Sequence, residues 1–431
     1  MNAATSGGGA VGSSPRAAGR WRRLVIDVRP LRHPAYRRLF GSTVVTSVGS
    51  QLTAVAVPVQ LFNDSGSSAM VGVSGAVAFV PLVVFALIGG SIADAFDRRR
   101  VLLVTNAGIA LTSAGLWLQA LSSARSVWVV LALLAAQQAF FGLNSPARGA
   151  AIPRLVSSAE LPSAQALNST VFVLGAVLGP LAAGALIPVA GLSTLYLIDT
   201  LALGVALGAV WRLPAMSPAP TRDGRRRPIG VGSVLDGLRH IRLQTILLMS
   251  FMVDIIAMVL GMPRALFPEL AERTFGGGLA LGVLYAAIPA GALLAGLMSG
   301  ALRRIGRHGA AVVVAVVVWG LAVVGFGLSD SLVVGAAFLA LGGAADLVSM
   351  VFRGSILLSA TTDELRGRIQ GVFVVVIVGG PRLADLLHGT VGDLVGTRAA
   401  VTGGGLLVVV TTVALAIASP SFWRYRAPVD A

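Results

Sequence analysis

Five ionisable side chains stand where the sequence is otherwise apolar: Asp199 in YLIDTLAL, Asp254 in SFMVDIIAMV, Asp346 in GGAADLVSMVF, and Arg382 with Asp385 in GGPRLADLLHG. A charge at the middle of a membrane span costs about 2.5–3.5 kcal/mol on the insertion scale, so each one needs a function or a partner. A carboxylate held away from water and intermittently beside a guanidinium can gain and lose a proton as its neighbours change. That is the chemistry of proton coupling. Asp254 is the leading candidate, because its near neighbours are apolar; the alternative is a hydrogen bond to an adjacent helix. Asp346 and Asp385 are the next candidates, with a helix-joining ion pair as the alternative. Asp199 follows, closer to the end of its span.

Arg382, Asp385 and His388 recur every three residues and share one helix face, where the first two can pair. Arg264, between Pro263 and Pro268 in GMPRALFPEL, is placed toward the outer end of its span. A cation there either attracts an anionic or catecholate solute or snorkels to the outer headgroups. Gln51, Gln60, Gln137, Gln138 and Asn144 add uncharged polar groups to the first and fourth spans, as cavity lining or as ties between helices.

Long apolar helices must position these groups. Of 431 residues 55% are hydrophobic and only 12% charged, a composition far from that of soluble domains. Apolar runs long enough to cross a hydrocarbon core of about 30 Å recur throughout. Twelve spans are expected, near residues 40–62, 70–93, 101–121, 127–147, 163–188, 190–211, 244–268, 279–302, 310–329, 332–352, 369–391 and 400–418. The chain is thus expected to be an all-α membrane protein. Its parts would be a disordered basic tail (1–38), a six-helix bundle (39–212), a linker with an amphipathic helix in SVLDGLRHIRL (213–243), a second six-helix bundle (244–419) and a tail (420–431).

Charge distribution supports that count. Every one of the 33 basic residues is arginine; with alternate loops on alternate sides, 28 fall on one side and four on the other, Arg382 lying inside a span. By the positive-inside rule the rich side is cytoplasmic, and with it both termini. The +15 net charge is therefore mostly topology, and nucleic-acid binding, which needs a folded basic face with readout elements, is not expected. The halves also echo each other: Arg148-Gly149 and Gln165 recur as Arg353-Gly354 and Gln370, both displaced by 205 positions, as in transporters built from repeats.

Other functions find no residues. The absence of lysine removes any GxxxxGK[ST] phosphate loop, and no G-x-S-x-G or H-E-x-x-H motif occurs. With no cysteine and four histidines, neither a disulfide framework nor a metal site is expected. No enzyme activity and no cofactor are expected.

The stretch GGSIADAFDRRR after the second span resembles the hallmark G-x-x-x-D-R-x-G-R-R of the major facilitator superfamily. Gly90, Asp94, Arg98 and Arg99 match, while Ala95 and Asp97 depart from it. More narrowly, AVPVQL, RALFPEL, GVLYAAIPAGA and GRIQGVF resemble the enterobactin exporter branch and its actinobacterial drug-efflux relatives, from about Pro34 to the end of the last span. The resemblance implies the major facilitator fold in a bacterial inner membrane and a gating role for Asp94, which would clamp the halves together when the molecule opens outward. Gly175, Gly179, Pro180 and Gly184 form G-x-x-x-G-P-x-x-x-G, similar to the family's antiporter signature, with Ala183 in place of its first paired glycine. The spacing itself lets helices approach closely and bends one of them.

The resulting expectation is a monomeric, proton-coupled exporter of a small amphipathic molecule, siderophore-like or drug-like, working by alternating access. An importer of the same fold, a membrane scaffold or sensor, and a lipid flippase are the alternatives.

Overall fold

The computed structural model describes residues 27–217, 239, 241–298, 300, 302, 305–361 and 363–426, without the side chains of residues 94, 363–368, 370, 371, 374 and 375. The tail before residue 27, most of the linker with its SVLDGLRHIRL helix, and the last five residues lie outside the described residues. No strand occurs among those described.

Helices α1 (Pro34–Ser65), α2 (Ser68–Ala95), α3 (Arg98–Leu121), α4 (Val127–Ala151) and α5 (Leu161–Trp211) build the first bundle. The second comprises α6 (Thr245–Leu260) with the short α7 (Phe267–Arg273), then α8 (Leu279–Leu297), α9 (His308–Leu328), α10 (Leu332–Ser359), α11 (Asp363–Val395) and α12 (Thr397–Ala418). A one-turn α13 (Pro420–Trp423) follows.

Among the described residues ten helices are long and apolar enough to cross a membrane. One of them crosses twice. At 51 residues, α5 would reach about 76 Å if straight, yet Ala164 near its start and Val210 near its end are buried in the same apolar cluster. The chain reverses at Gly191, whose φ of 74° is open to glycine without a Cβ clash. With α11, 33 residues long, the tally is consistent with twelve crossings in two bundles of six.

The seventh span departs from the continuous helix expected over 244–268. Its α-helix stops at Leu260, and residues 261–266 form an irregular turn and a short 3-10 stretch before α7. Pro263 and Pro268 lack the amide protons that would carry the helix through.

Packing distinguishes the two ends of the molecule. At the arginine-rich end each bundle has its own apolar cluster, one including Tyr36, Leu102 and Leu155, the other Leu247, Leu357 and Ile369. No apolar cluster among the described residues joins the bundles there. Toward the arginine-poor end a single cluster draws on both, from Leu61 and Leu195 to Leu266 and Ala384. Close backbone approaches reinforce that junction. A methyl group added to Gly75 of α2 would lie 2.9 Å from Asp385 Cβ of α11, and one on Gly184 of α5 would lie 2.7 Å from Gly282 Cα of α8. The bundles are therefore sealed at the arginine-poor end and separate at the other.

Candidate functional site

Asp254, in the middle of α6, and Arg353, on α10, form an ion pair with 1% and 3% side-chain exposure. Arg353 also stands 3.8 Å from Asp346, on the same face of α10 two turns higher. Seven residues separate Asp346 and Arg353, two helical turns or about 10 Å of axis, so the long guanidinium reaches back along its own helix while spanning to α6. Below the pair, toward the arginine-rich end, Leu247, Phe251, Leu357 and Phe373 line a small apolar recess.

The row of charges continues upward. Arg264, on the broken turn of the seventh span, lies within electrostatic range of both Asp346 and Asp385. It is thus coupled electrostatically to two carboxylates of the second bundle. Tyr285 of α8 donates its hydroxyl to the Arg264 carbonyl at 3.3 Å, holding the turn in place. Arg382 and Asp385 of α11 stand 3.9 Å apart, as their spacing predicts. The sequence Asp254, Arg353, Asp346, Arg264, Asp385, Arg382 alternates in sign, three carboxylates against three guanidiniums. Asp254 and Arg353 are buried and the other four are partly exposed; ionised groups at this depth of a membrane protein are tolerable chiefly as a balanced set.

His388, on the same α11 face, donates from Nε2 to the Leu260 carbonyl at 3.1 Å. That carbonyl is one of those freed where α6 ends, so His388 braces the break.

The first bundle holds polar groups of a different kind. Asp199 is buried behind α1, with one carboxylate oxygen accepting from Thr53 at 2.7 Å and from Ser113; it does not join the charge row. Gln60 accepts from Tyr196 at 2.8 Å. Asn144 donates to Thr105 and Asn106 at 2.7 and 2.9 Å and accepts from Arg148 at 3.3 Å. These contacts tie helices within the bundle. Gln51 packs against Gly179. Gln137 is buried and Gln138 half-buried on α4.

Of the GGSIADAFDRRR motif, Gly90 has open space around it, Arg98 is buried, and the Asp94 side chain lies outside the described residues. Asp97 caps α3 by accepting from the Arg99 and Arg100 amides at 2.8 and 3.3 Å. In the glycine-proline motif, Gly175 faces Ser47, Gly179 faces Gln51, and Gly184 faces Gly282, itself against the Pro180 carbonyl. The motif thus lies where α5 meets both α1 and α8.

The structure adds residues that the sequence reading did not select. Arg353 is the partner of Asp254; the 205-residue repeat had marked it only as the counterpart of Arg148. In the first bundle Arg148 meets neutral Thr43 and Asn144 instead. At the sealed end Asp393, closing α11, accepts from Ser67, from the Ser68 amide at 2.9 Å and from the Ala69 amide at 3.2 Å. Glu269 accepts from Ser68 at 2.6 Å. These contacts cross between bundles, and only their positions at span ends could have signalled them.

The chain is similar to known proteins in sequence and in fold. The profile of the transmembrane secretion effector family matches residues 27–423. The enterobactin exporter EntS of Shigella boydii serotype 18 is 30% identical over 400 residues, 91% of this chain and 94% of that exporter. EntS of Escherichia coli K12 is 30% identical over 404 residues, 92% and 95% of the two chains. In fold, the nucleoside transporter NupG superposes with a TM-score of 0.70 at 13% identity, covering 91% of this chain and all of that one (100%). A peptide transporter POT variant gives 0.72 at 10% identity, covering 90% and 95%. A multi-pass helical membrane protein with these relatives and this two-bundle architecture belongs to the transmembrane secretion effector family of major facilitator transporters.

Proposed function

We propose that the protein is a proton-coupled exporter of a small amphipathic molecule, siderophore-like or drug-like, in a bacterial inner membrane. The arginine-rich end, and both termini, face the cytoplasm, so the structure is the inward-open state. The bundles 39–212 and 244–419 rock about their contact at α2, α5, α8 and α11, and the protein works as a monomer.

The observation that carries this reading is the position of Arg353 between Asp254 and Asp346. A proton taken up by Asp254 cancels its attraction for Arg353, and the guanidinium then turns to Asp346. The α6–α10 contact is remade by this exchange, and protonation is thereby converted into helix movement. Asp385 and Arg382, packed on α2, place a second switchable pair at the junction of the bundles. Asp199, held by two hydroxyls away from the row, contributes less to coupling. Arg264, Gln51, Gln137 and Gln138 are assigned to the solute. Gly90, Asp94, Arg98 and Arg99 gate the cytoplasmic end in the opposite, outward-open state, and the Gly175–Gly184 segment supplies the close packing on which exchange turns. Export as the direction rests on the named relatives.

The test is transport in proteoliposomes with an imposed pH gradient, using enterobactin and common antibiotics as probes. Flux should follow the gradient in the wild type and lose that dependence in Asp254→Asn. Wild-type flux that persists unchanged after the gradient and voltage are collapsed would overturn the coupling.

A further inference from the structure

Where α3 begins and α5 ends, Asp97, Arg99, Arg100, Leu103, Trp211 and Ala215 line an open cavity of about 340 Å³. Its charge is positive. Both oxygens of Asp97 are occupied by backbone donors, the Arg99 and Arg100 amides on one and the Met216 amide, at 3.0 Å, on the other. Among the described residues neither Arg99 nor Arg100 has a carboxylate within ion-pair distance. Arg99 donates to the Trp211 carbonyl and lies over the indole, 5.9 Å from the ring centre. That stacking holds the guanidinium in one orientation, and Arg100 is exposed beside it.

The same wall continues into the apolar zone. Gly204 and Gly208, two turns and one turn before Trp211 on α5, have no atom within 4 Å of where a side chain would begin. Trp211 itself is 66% exposed, as expected of an indole at the level of the headgroups. A basic, Trp-walled cavity that opens above a glycine furrow has a polar head and an apolar channel in the right order. Planar guanidiniums match a phosphodiester in geometry and charge.

We propose that this is a binding site for an anionic phospholipid, whose phosphate is held by Arg99 and Arg100 and whose acyl chain lies along Gly204 and Gly208. The occupant bridges α3 to α5, the two ends of which are also linked here through Asp97 and Met216 and through Arg99 and the Trp211 carbonyl.

The test uses the full chain purified in detergent, with thermal stability titrated against phosphatidylglycerol, phosphatidylcholine and glycerol phosphate. Phosphatidylglycerol should stabilise the wild type saturably, phosphatidylcholine and glycerol phosphate should not, and Arg99→Gln/Arg100→Gln should raise the midpoint about tenfold or more. Gly208→Leu keeps both arginines and fills the furrow. It should weaken the lipid by a similar factor, and it serves where the arginine variant folds poorly. An equal response to phosphatidylcholine, a full response to glycerol phosphate alone, or a phosphatidylglycerol midpoint unmoved by Gly208→Leu would each overturn the site.

Discussion

Asp393 accepts the backbone N–H of Ser68 at 2.9 Å, so a carboxylate from the second bundle caps a helix of the first. The Ala69 amide and the Ser67 hydroxyl converge on the same group. Capping by a carboxylate at a helix N-terminus is worth about 1–2 kcal/mol, and here it acts only while the arginine-poor end is closed. Asp393→Ala is expected to shift the population toward opening at that end by roughly five- to thirtyfold. Cysteine pairs across the 67–393 region, assayed by cross-linking in the cysteine-free background, would read the change; unaltered cross-linking would remove the capping role.

Arg353→Gln removes the counter-ion of a carboxylate that is 1% exposed. Breaking a buried pair from one side typically costs about 3–5 kcal/mol, so this variant should be poorly expressed and thermally weak. Asp254→Asn/Arg353→Gln leaves no stranded charge and should regain most of the lost stability while staying uncoupled from the pH gradient. Thermal melts alongside flux assays separate the two effects. A double variant as unstable as the single one would contradict the pairing.

Gly184→Leu drives a side chain into the Gly282 backbone, where a methyl group alone already comes within 2.7 Å. Overpacking of this order costs about 1–3 kcal/mol, levied only on the sealed arrangement. The variant should label faster at the arginine-poor end with membrane-impermeant reagents. Gly204→Leu, on a glycine with open space around it, is the control and should not.

The segment before α1 is tied down by Asp27, which holds Arg29 through its side chain and amide and accepts from Ser163 at 2.9 Å. These bonds, the Arg29 side chain foremost, keep the Asp27 carboxyl well below its ordinary value of 3.8. A depressed carboxylate contributes fully above its unfolded value and is lost only as pH falls through the lower folded one. Protection of the 29–37 amides against hydrogen exchange should therefore be flat from pH 7 to about 4 and decline only below. Asp27→Asn should lessen the acid-side decline, leaving the share due to Glu160, whose carboxyl is lowered by its bonds to Ser157 and His33, and reduce protection at neutral pH.

Apolar run length and arginine placement made the spans legible, because both are imposed by the bilayer and not by packing. A break near residue 189 is expected for the same reason, since two spans fit between residues 163 and 211 and one does not; the structure places the reversal two residues on, at Gly191. The interior of the seventh span was not legible. Pro263 and Pro268 are compatible with a kink or with a break, and the choice depends on whether side chains such as His388 and Tyr285 arrive to hold the freed carbonyls. Asp254 stood out as a buried charge, but its partner lies 99 positions away on another helix, and periodicity along one helix says nothing about which faces meet. Gln60 and Asn144 show the converse: polar residues at plausible cavity positions that turn inward to Tyr196, Thr105 and Asn106.

The interruption at residues 261–266 makes the seventh crossing two levers instead of one rigid rod. The lower lever carries Asp254 and the upper carries Glu269, with Arg264 on the joint between them. Under the coupling proposed above, a tilt of the upper lever need not drag the acid below, so release of the solute and uptake of the proton would be ordered in time, the one finishing before the other begins. A continuous helix would force them to coincide.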